Sequence, residues 1–287
     1  MLRCTAGKAV LLVVWLTAFE AYSAARGGGV PPSPKPVKPA QRTGTEPLIP
    51  AKLGKRSHSA KAGLDLVEIP AGWFTMGSPK GAGEANEHPQ HNIFLGTFRM
   101  ARTEVTVAQF RRYCKATRYS YDWDLAERKP TWGYIDAYPM VNVTWDEALG
   151  YCRWAGGDLP TEAEWEKAAR GTDGRLFPWG GVWNGNNCVH NARHPEPVGS
   201  KPLDSSPYGV LDMAGNVMEW CKDYYDITYY SRSPKRNPQG GNKGDKTVMR
   251  GGCWLYNYPA GIRCATRMTN YPSSKTNLTR GFRVVFR

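Results

Sequence analysis

The long stretch from Gly171 to Gly252 constrains the fold of this chain more than any other feature. It contains many Gly, Asn, Asp and Pro residues and few long periodic runs of apolar residues. These residue types favour turns, so we expect irregular structure to dominate there. A loop region of this length within a compact domain must be held by more than backbone ladders. Disulfides, buried Trp side chains and a bound cation are the candidates.

Regular elements are predicted mainly outside this stretch. Short helices are expected where a Thr precedes a Gln or Glu by three residues, because such pairs form capping boxes. Strands are expected in segments that alternate and are rich in branched or aromatic residues. The capping pairs are Thr106 with Gln109, Thr144 with Glu147 and Thr161 with Glu164, and the strand segments are 66–77, 91–101 and 281–287. We therefore predict a single compact α+β domain over residues 64–287, with little regular secondary structure and long loops.

The N-terminal residues predict export. Arg3 and Lys8 precede an apolar run from Ala9 to Phe19, and small residues follow it. This is the pattern of a cleaved signal peptide, assigned to residues 1–25, and the run is too short to span a bilayer. A buried core helix is the alternative interpretation. We expect the protein to be exported, either to the periplasm or as a secreted protein.

Residues 26–63 are predicted to be a disordered linker. They are rich in Pro, Gly and Lys and contain almost no large apolar side chains, so they cannot bury a core. The chain has a net charge of +13, and residues 24–63 alone contribute eight Lys or Arg against one acid. The folded domain therefore carries an ordinary charge, and no nucleic-acid partner is expected. The basic linker could contact an anionic envelope surface, or it could be a solvated spacer.

Six cysteines remain after the predicted signal peptide. An even number in an exported chain favours disulfides, although six cysteines allow fifteen pairings. Metal binding is the weaker interpretation, because the cysteines form no Cys-x-x-Cys pair and the histidines do not follow at zinc-finger spacing. The cysteines are Cys114, Cys152, Cys188, Cys221, Cys253 and Cys264.

Eight motifs in order carry a resemblance to the formylglycine-generating enzyme (sulfatase-modifying factor) family. The motifs are VEIPAGWFTMGS, EVTVAQF, VNVTWDEALGYCRWAGG, LPTEAEWEKAARG, LFPWGG, YGVLDMAGNVMEW, RGGCW and GFRVV. Together they cover nearly all of residues 66–286. The resemblance implies one compact domain related to the C-type lectin fold, low in regular secondary structure and often stabilised by calcium.

The segment DMAGNVMEW predicts a structural calcium site. Asp212 and Glu219 could supply carboxylates, and the carbonyls of Gly215 and Val217 could turn inward. Such a set would give the all-oxygen shell that a hard cation prefers. These positions also match the calcium motif that the resemblance implies. In the alternative interpretation, Asp212 caps a turn and Glu219 pairs with a nearby Arg.

The chain departs from the resemblance at the positions that carry the chemistry. Active members resemble one another in a C-terminal pair of cysteines that binds copper, since two close thiolates suit Cu(I). Here Tyr256 stands near the first of these positions and Gly261 near the second, while Cys253 replaces a Ser and Met218 a Trp. Copper is therefore not expected. Cys253 and Cys264 are weak candidates for an improvised thiolate site, and a disulfide is the alternative.

We therefore expect a non-catalytic domain that binds or scaffolds an unknown protein or glycan ligand. Amphipathic aromatic side chains with small polar neighbours make adaptable contact surfaces. Alternatively, these aromatic residues are partly core and the Asn residues form turns. The candidate contact residues are Trp254, Tyr256, Asn257, Tyr258, Asn270 and Tyr271. The alternative function is a copper-dependent oxidase that converts a sulfatase Cys to formylglycine.

Overall fold

The computed structural model describes residues 53–124, 129–274 and 277–287. The predicted signal peptide and residues 26–52 of the predicted linker lie outside the described residues. Within the described ranges, no helix is both long enough and apolar enough to cross a membrane.

Short strands and helices alternate with long turns throughout the described residues, so the predicted α+β class is confirmed. The strands are β1 (Arg56–Ser59), β2 (Leu64–Ile69), β3 (Gly72–Met76), β4 (His91–Leu95), β5 (Phe98–Ala101), β6 (Met218–Tyr224), β7 (Thr247–Arg250), β8 (Met268–Asn270), β9 (Arg280–Gly281) and β10 (Val285–Phe286). The α-helices are α1 (Val107–Thr117), α2 (Trp145–Ala155), α3 (Glu162–Arg170) and α4 (Tyr229–Arg232), and short 3₁₀ helices lie at Ala85–Glu87, Gly185–Asn187 and Pro259–Ile262.

The first sheet joins the two ends of the domain. Its strand order is β1-β2-β5-β10, and all neighbours are antiparallel. Val67 of β2 and Val285 of β10 both pair with Met100 of β5, and all three side chains are buried. The closing segment of the chain therefore forms an edge strand of this sheet and contributes to its core.

Strand β1 corrects the predicted domain boundary. It lies within the segment that was predicted to be linker, yet its four residues pair in register with β2, so the domain begins before residue 64. Its residues are mostly exposed and polar, and this strand therefore lacks the apolar alternation from which a strand can be recognised. The boundary at residue 64 was wrong for that reason.

The three predicted capping boxes are all present, at Thr106, Thr144 and Thr161. In each, the Thr hydroxyl accepts from the backbone of the third helical residue, whose side chain accepts from the Thr backbone. Every residue of α3 is buried, including its charged ones, and the helix contacts β3, β6 and β7. It is therefore the central helix of the fold.

A second four-stranded sheet has the order β8-β7-β6-β9, in which only β6 and β9 are parallel. Two of its strands, β6 and β7, lie in the stretch predicted to be mostly irregular. Five of the seven residues of β6 are buried, on both faces of the strand, so its sequence shows no clear alternation of apolar and polar residues. Turns, the short helix α4 and a 3₁₀ helix occupy most of the rest, and the predicted irregular structure is confirmed there.

Buried arginine–glutamate pairs and buried Trp side chains hold this loop-rich structure together. Trp165 and Trp220 are fully buried. Buried ion pairs can be well tolerated where hydrogen bonds satisfy both groups. The pairs are Arg170 with Glu166, Arg250 with Glu162 and Glu166, Arg267 with Glu162, and Arg283 with Glu219.

The disulfides predicted from the even cysteine count are not formed among the described residues. All six described cysteines are free thiols, and five of them are buried. The buried five are divided among separate core clusters: Cys152 and Cys253 lie in one, Cys221 and Cys264 in a second and Cys188 in a third. They pack as small apolar side chains, a common role for buried cysteine.

Candidate functional site

The predicted contact segment, residues 254–258, follows β7 and is anchored by Trp254. The indole Nε1 of Trp254 donates to the Leu278 carbonyl at 3.1 Å, and its backbone N–H donates to the Asn216 carbonyl at 2.8 Å. Its ring packs edge-on against Trp132, with ring centroids 5.7 Å apart. Only 8% of Trp254 is exposed, so this residue belongs to the core and positions the segment.

Tyr256 and Tyr258 form a stacked pair next to it. Their ring centroids lie 5.1 Å apart, with an angle of 23° between the ring planes. The Tyr256 hydroxyl donates to Met218 Sδ at 3.6 Å. A Cβ atom added to Gly261 would lie 2.8 Å from Tyr256 Cδ2 and 2.6 Å from Tyr258 Cε2. Both rings therefore rest on the backbone of Gly261.

The other candidate contact residues lie on two segments. Asn257 is exposed beside the stacked tyrosines. Asn270 ends β8, where its side chain accepts from the Tyr271 backbone N–H at 2.7 Å. Tyr271 is 55% exposed, and the Lys246 ammonium lies 5.2 Å from its ring centroid. The exposed candidates thus belong to the loop after β7 and to the end of β8.

The two weak thiol candidates are not brought together. Cys253 lies in the core cluster that contains Trp254, whereas Cys264 lies in the separate cluster that contains Trp165. Burial raises the pKa of the Cys253 thiol to about 11 and that of Cys264 to about 12. Both are therefore protonated at neutral pH, and the form that binds soft metals is the thiolate.

The carboxylates of the predicted calcium motif have protein partners. Glu219 accepts from Arg283 Nε and Nη2, each at 2.6 Å, and from Trp165 Nε1 at 2.8 Å. This is the arginine pairing that was considered as the alternative. Asp212 has a positive φ of 57° and accepts from the Gly199 backbone N–H at 2.7 Å. Both carboxylates are buried.

Two more buried carboxylates, those of Glu104 and Asp204, interact electrostatically with Asp212. Burial raises the pKa of Glu104 and of Asp204, and the Asp212 charge adds to both effects. Burial also raises the pKa of Asp212 to about 6. One Asp204 oxygen, Oδ1, is buried without a hydrogen-bond partner. Glu219 is the carboxylate that pairs with Arg283, and Arg283 and Arg102 both act electrostatically on Asp212. These buried carboxylates therefore favour a positive charge in this region.

Within the described residues, no group of three or more His, Cys, Asp or Glu side chains is arranged so that it could hold a metal ion. The predicted calcium shell has only two carboxylates, and its other oxygens are the carbonyls of Gly215 and Val217. Calcium at this position therefore stays a prediction.

Arg280 is a residue near the stacked tyrosines that sequence reasoning missed. It pairs in β9 with Met218 of β6, and its guanidinium carbon lies 5.6 Å from the ring centroid of Trp220. Only 6% of Arg280 is exposed, and its Nε and Nη1 have no hydrogen-bond partner. Burial lowers the pKa of Arg280 to about 10, an effect that the Tyr256 phenol opposes. The only sequence signal was its place directly before the closing GFRVV motif.

The model of the sulfatase-modifying factor enzyme 1-like domain matches residues 51–287. The chain belongs to this sulfatase-modifying factor family. A formylglycine-generating enzyme from Streptomyces coelicolor is 33% identical over an alignment of 276 residues. The match covers 76% of this chain and 87% of that enzyme. The serine/threonine-protein kinase pkn1 of Chlamydia caviae is 38% identical over an alignment of 237 residues. That match also covers 76% of this chain, but it covers only 37% of the kinase. The chain therefore spans little more than a third of that relative.

Solved structures confirm the sulfatase-modifying factor fold. PvdO from Pseudomonas aeruginosa matches with a TM-score of 0.72 and 27% identity, over 82% of this chain and 99% of PvdO. Variable protein 1 of Treponema denticola matches with a TM-score of 0.65 and 21% identity, over 81% of this chain and 98% of that chain. The second likeness concerns the fold alone. The family match begins at residue 51, in agreement with the domain start set by β1.

Proposed function

We propose that this sulfatase-modifying factor domain is non-catalytic and binds a protein or glycan ligand on the surface around Tyr256 and Tyr258. The observation that carries the proposal is the packing of Tyr256 on Gly261, which lie near the two positions where the resemblance implies copper-binding cysteines. A side chain at position 261 would collide with both tyrosine rings. A second thiol there would therefore require the stacked pair to move.

The remaining thiols support the same proposal. Cys253 and Cys264 are the nearest substitutes in sequence for the missing copper ligands, but they are buried in separate clusters. Their raised pKa values keep them protonated at neutral pH. Copper binding by either one would require deprotonation and movement of core residues.

The exposed part of the loop after β7 has the composition of a contact surface. Leu255 is 46% exposed and Tyr258 is 39% exposed, and Asn257 lies between them. Tyrosine offers a large contact area at a small cost in side-chain entropy, and Asn adds adaptable hydrogen bonds. The buried Trp254 fixes this loop, so the surface is held in one conformation before a ligand arrives.

The proposal includes an extracytoplasmic setting. The apolar run after Arg3 and Lys8 supports export through a signal peptide, to the periplasm or to the outside. The basic residues of the segment before the domain support contact with an anionic envelope surface. The buried carboxylates of Asp212 and Glu219, at the positions of the family's calcium motif, support a structural calcium ion rather than a catalytic metal.

A copper assay tests the non-catalytic proposal. The purified protein is incubated with Cu(I), and bound copper and the oxidation of a Cys-containing sulfatase peptide are measured. The Streptomyces coelicolor formylglycine-generating enzyme serves as the positive control. We expect neither stoichiometric copper nor turnover above the protein-free background. Stoichiometric copper together with turnover would establish the alternative, a formylglycine-generating oxidase, which the 33% identity to that enzyme favours.

A further inference from the structure

Arg280 differs from the other buried arginines that the structure describes. Each of the others forms an ion pair with a glutamate, whereas Arg280 has no carboxylate partner among the described residues. The paired ones are Arg170, Arg250, Arg267 and Arg283. The unpaired position of Arg280 is therefore not a general property of arginines in this core.

The backbone around Arg280 is held from three sides. The Leu278 carbonyl accepts from the Trp254 indole, and the Thr279 carbonyl accepts from the Met218 backbone N–H at 2.8 Å. Arg280 itself pairs with Met218 in the second sheet. The backbone that carries the Arg280 side chain is therefore held by the second sheet and by the buried Trp254.

Burying a guanidinium without a partner is costly, because the charge loses its hydration and gains no counter-charge. The Trp220 ring, whose centroid lies 5.6 Å from the guanidinium carbon, offsets only part of this cost by a cation–π interaction. Two nitrogens, Nε and Nη1, keep their hydrogen-bonding capacity unused. Together with Nη2 they form the planar donor fork that binds carboxylate or phosphate oxygens in pairs.

We propose that Arg280 binds an oxyanion, a carboxylate or phosphate group, of a ligand that contacts Tyr256. This inference rests on the proposed ligand-binding surface and specifies its chemistry. The Tyr256 phenol acts electrostatically on Arg280 and shares Met218 with it as a neighbour. A ligand with an anionic group would pair with the guanidinium and place its remaining atoms against the stacked tyrosines.

Inorganic phosphate and acetate are the probes for this site. Thermal unfolding of the wild type is measured with each anion against chloride at equal ionic strength. Phosphate stabilises many proteins by exclusion from their surfaces, so controls are needed. Arg280→Met removes the donors and Arg280→Lys keeps the charge. Arg236→Met is the matched control, because Arg236 lies at the same 5.6 Å from a tryptophan ring, that of Trp73, but is exposed.

For the wild type and Arg236→Met we expect a saturable rise in melting temperature with at least one probe. The apparent dissociation constant should rise at least about tenfold in Arg280→Met, with a smaller rise in Arg280→Lys. In chloride, Arg280→Met should melt no lower than the wild type. The inference is wrong if wild type and Arg280→Met respond equally to both anions. It is also wrong if Arg280→Met fails to fold, since an unpaired buried charge should not stabilise the domain.

The two anions distinguish the chemical classes. A response to acetate points to a carboxylate ligand, and a response to phosphate alone points to a phosphorylated one. The result is independent of the copper assay: turnover with copper would overturn the non-catalytic proposal without changing the anion response. Equal anion responses in all variants would overturn the Arg280 inference and leave the non-catalytic proposal standing.

Discussion

Gly261 shows how one residue without a side chain shapes the candidate surface. The rings of Tyr256 and Tyr258 pack against its backbone, and Gly261 lies within the 3₁₀ helix Pro259–Ile262. A close approach of rings to backbone is possible only where no Cβ intervenes. The size of residue 261 therefore determines whether the tyrosines can stack.

We predict that Gly261→Ala destabilises the domain by about 1–3 kcal/mol, because the added methyl group overpacks the stacked pair. Urea denaturation measures the change. Gly181→Ala is the matched control: a Cβ there would meet no atom within 4 Å, and its free energy of unfolding should stay within about 0.5 kcal/mol of the wild type. Equal effects of the two substitutions would contradict the described packing.

Sequence reasoning predicted part of the candidate site at this scale. The absence of a cysteine pair at the usual spacing, near Tyr256 and Gly261, was visible in the sequence of the C-terminal segment. The burial of Trp254 was one of two alternatives that the sequence left open, and the lack of a carboxylate partner for Arg280 was not visible at all, because both depend on residues that lie far away in sequence. No local sequence pattern distinguishes a buried arginine that lacks a carboxylate partner from one that pairs with a carboxylate.

At the scale of elements, α3 organises the core through charge as well as apolar packing. Glu162 accepts from Arg267 Nε at 2.7 Å and from Arg250 Nη1 at 3.2 Å. Burial alone would raise the pKa of Glu162, but Arg267 and Arg250 outweigh burial and hold that pKa below its ordinary value. The helix start could be predicted from its capping box, whereas these partners come from β7 and from the segment before β8.

We predict that Glu162→Gln lowers the free energy of unfolding by about 3–5 kcal/mol at pH 7, because it leaves two guanidinium groups buried beside a neutral amide. The exposed Glu84 provides the control substitution Glu84→Gln, which should change stability by less than about 0.5 kcal/mol. Chemical denaturation of both variants measures the difference.

The pH dependence of this difference follows from the lowered pKa. The stabilisation by ionised Glu162 is fully present above its ordinary pKa of 4.5 and is lost as pH falls through the lower value in the folded protein. The difference in the free energy of unfolding between wild type and Glu162→Gln should therefore be constant from pH 7 to about 5.5. It should become smaller well below pH 4.5. A difference that already becomes smaller between pH 7 and pH 5.5 would argue against the pairing of Glu162 with Arg267 and Arg250.

At the scale of the whole molecule, local signals predicted three of the four described α-helices, the strand segments 66–77, 91–101 and 281–287, and the order of motifs. From the motif order the fold class and family followed correctly. The second sheet was missed because β6 is buried on both faces, and β1 was missed because its four residues are polar. Pairing between distant segments determines both strands, and such pairing leaves little periodic trace in a single sequence.

Calcium is predicted to stabilise the whole domain, because binding to the folded state alone shifts the unfolding equilibrium by about 2.7 kcal/mol at a hundredfold excess over the dissociation constant. The melting temperature should fall on chelation and recover with added calcium. Asp212→Asn should abolish this response while keeping the hydrogen bond from Gly199. Asp245→Asn, at an exposed position, should respond like the wild type. An unchanged melting temperature on chelation would rule out the site.

The place of β10 in the first sheet has a consequence for folding during synthesis. Its Val285 pairs with Met100 of β5, and Phe282, Arg283 and Val284 just before it are fully buried. While the ribosome is still adding these residues, one edge of β5 and the Glu219 carboxylate have no partner from this segment. The first sheet therefore cannot be completed before residues 280–287 join the fold, and until then the open edge of β5 offers unpaired backbone groups to which another chain can bind.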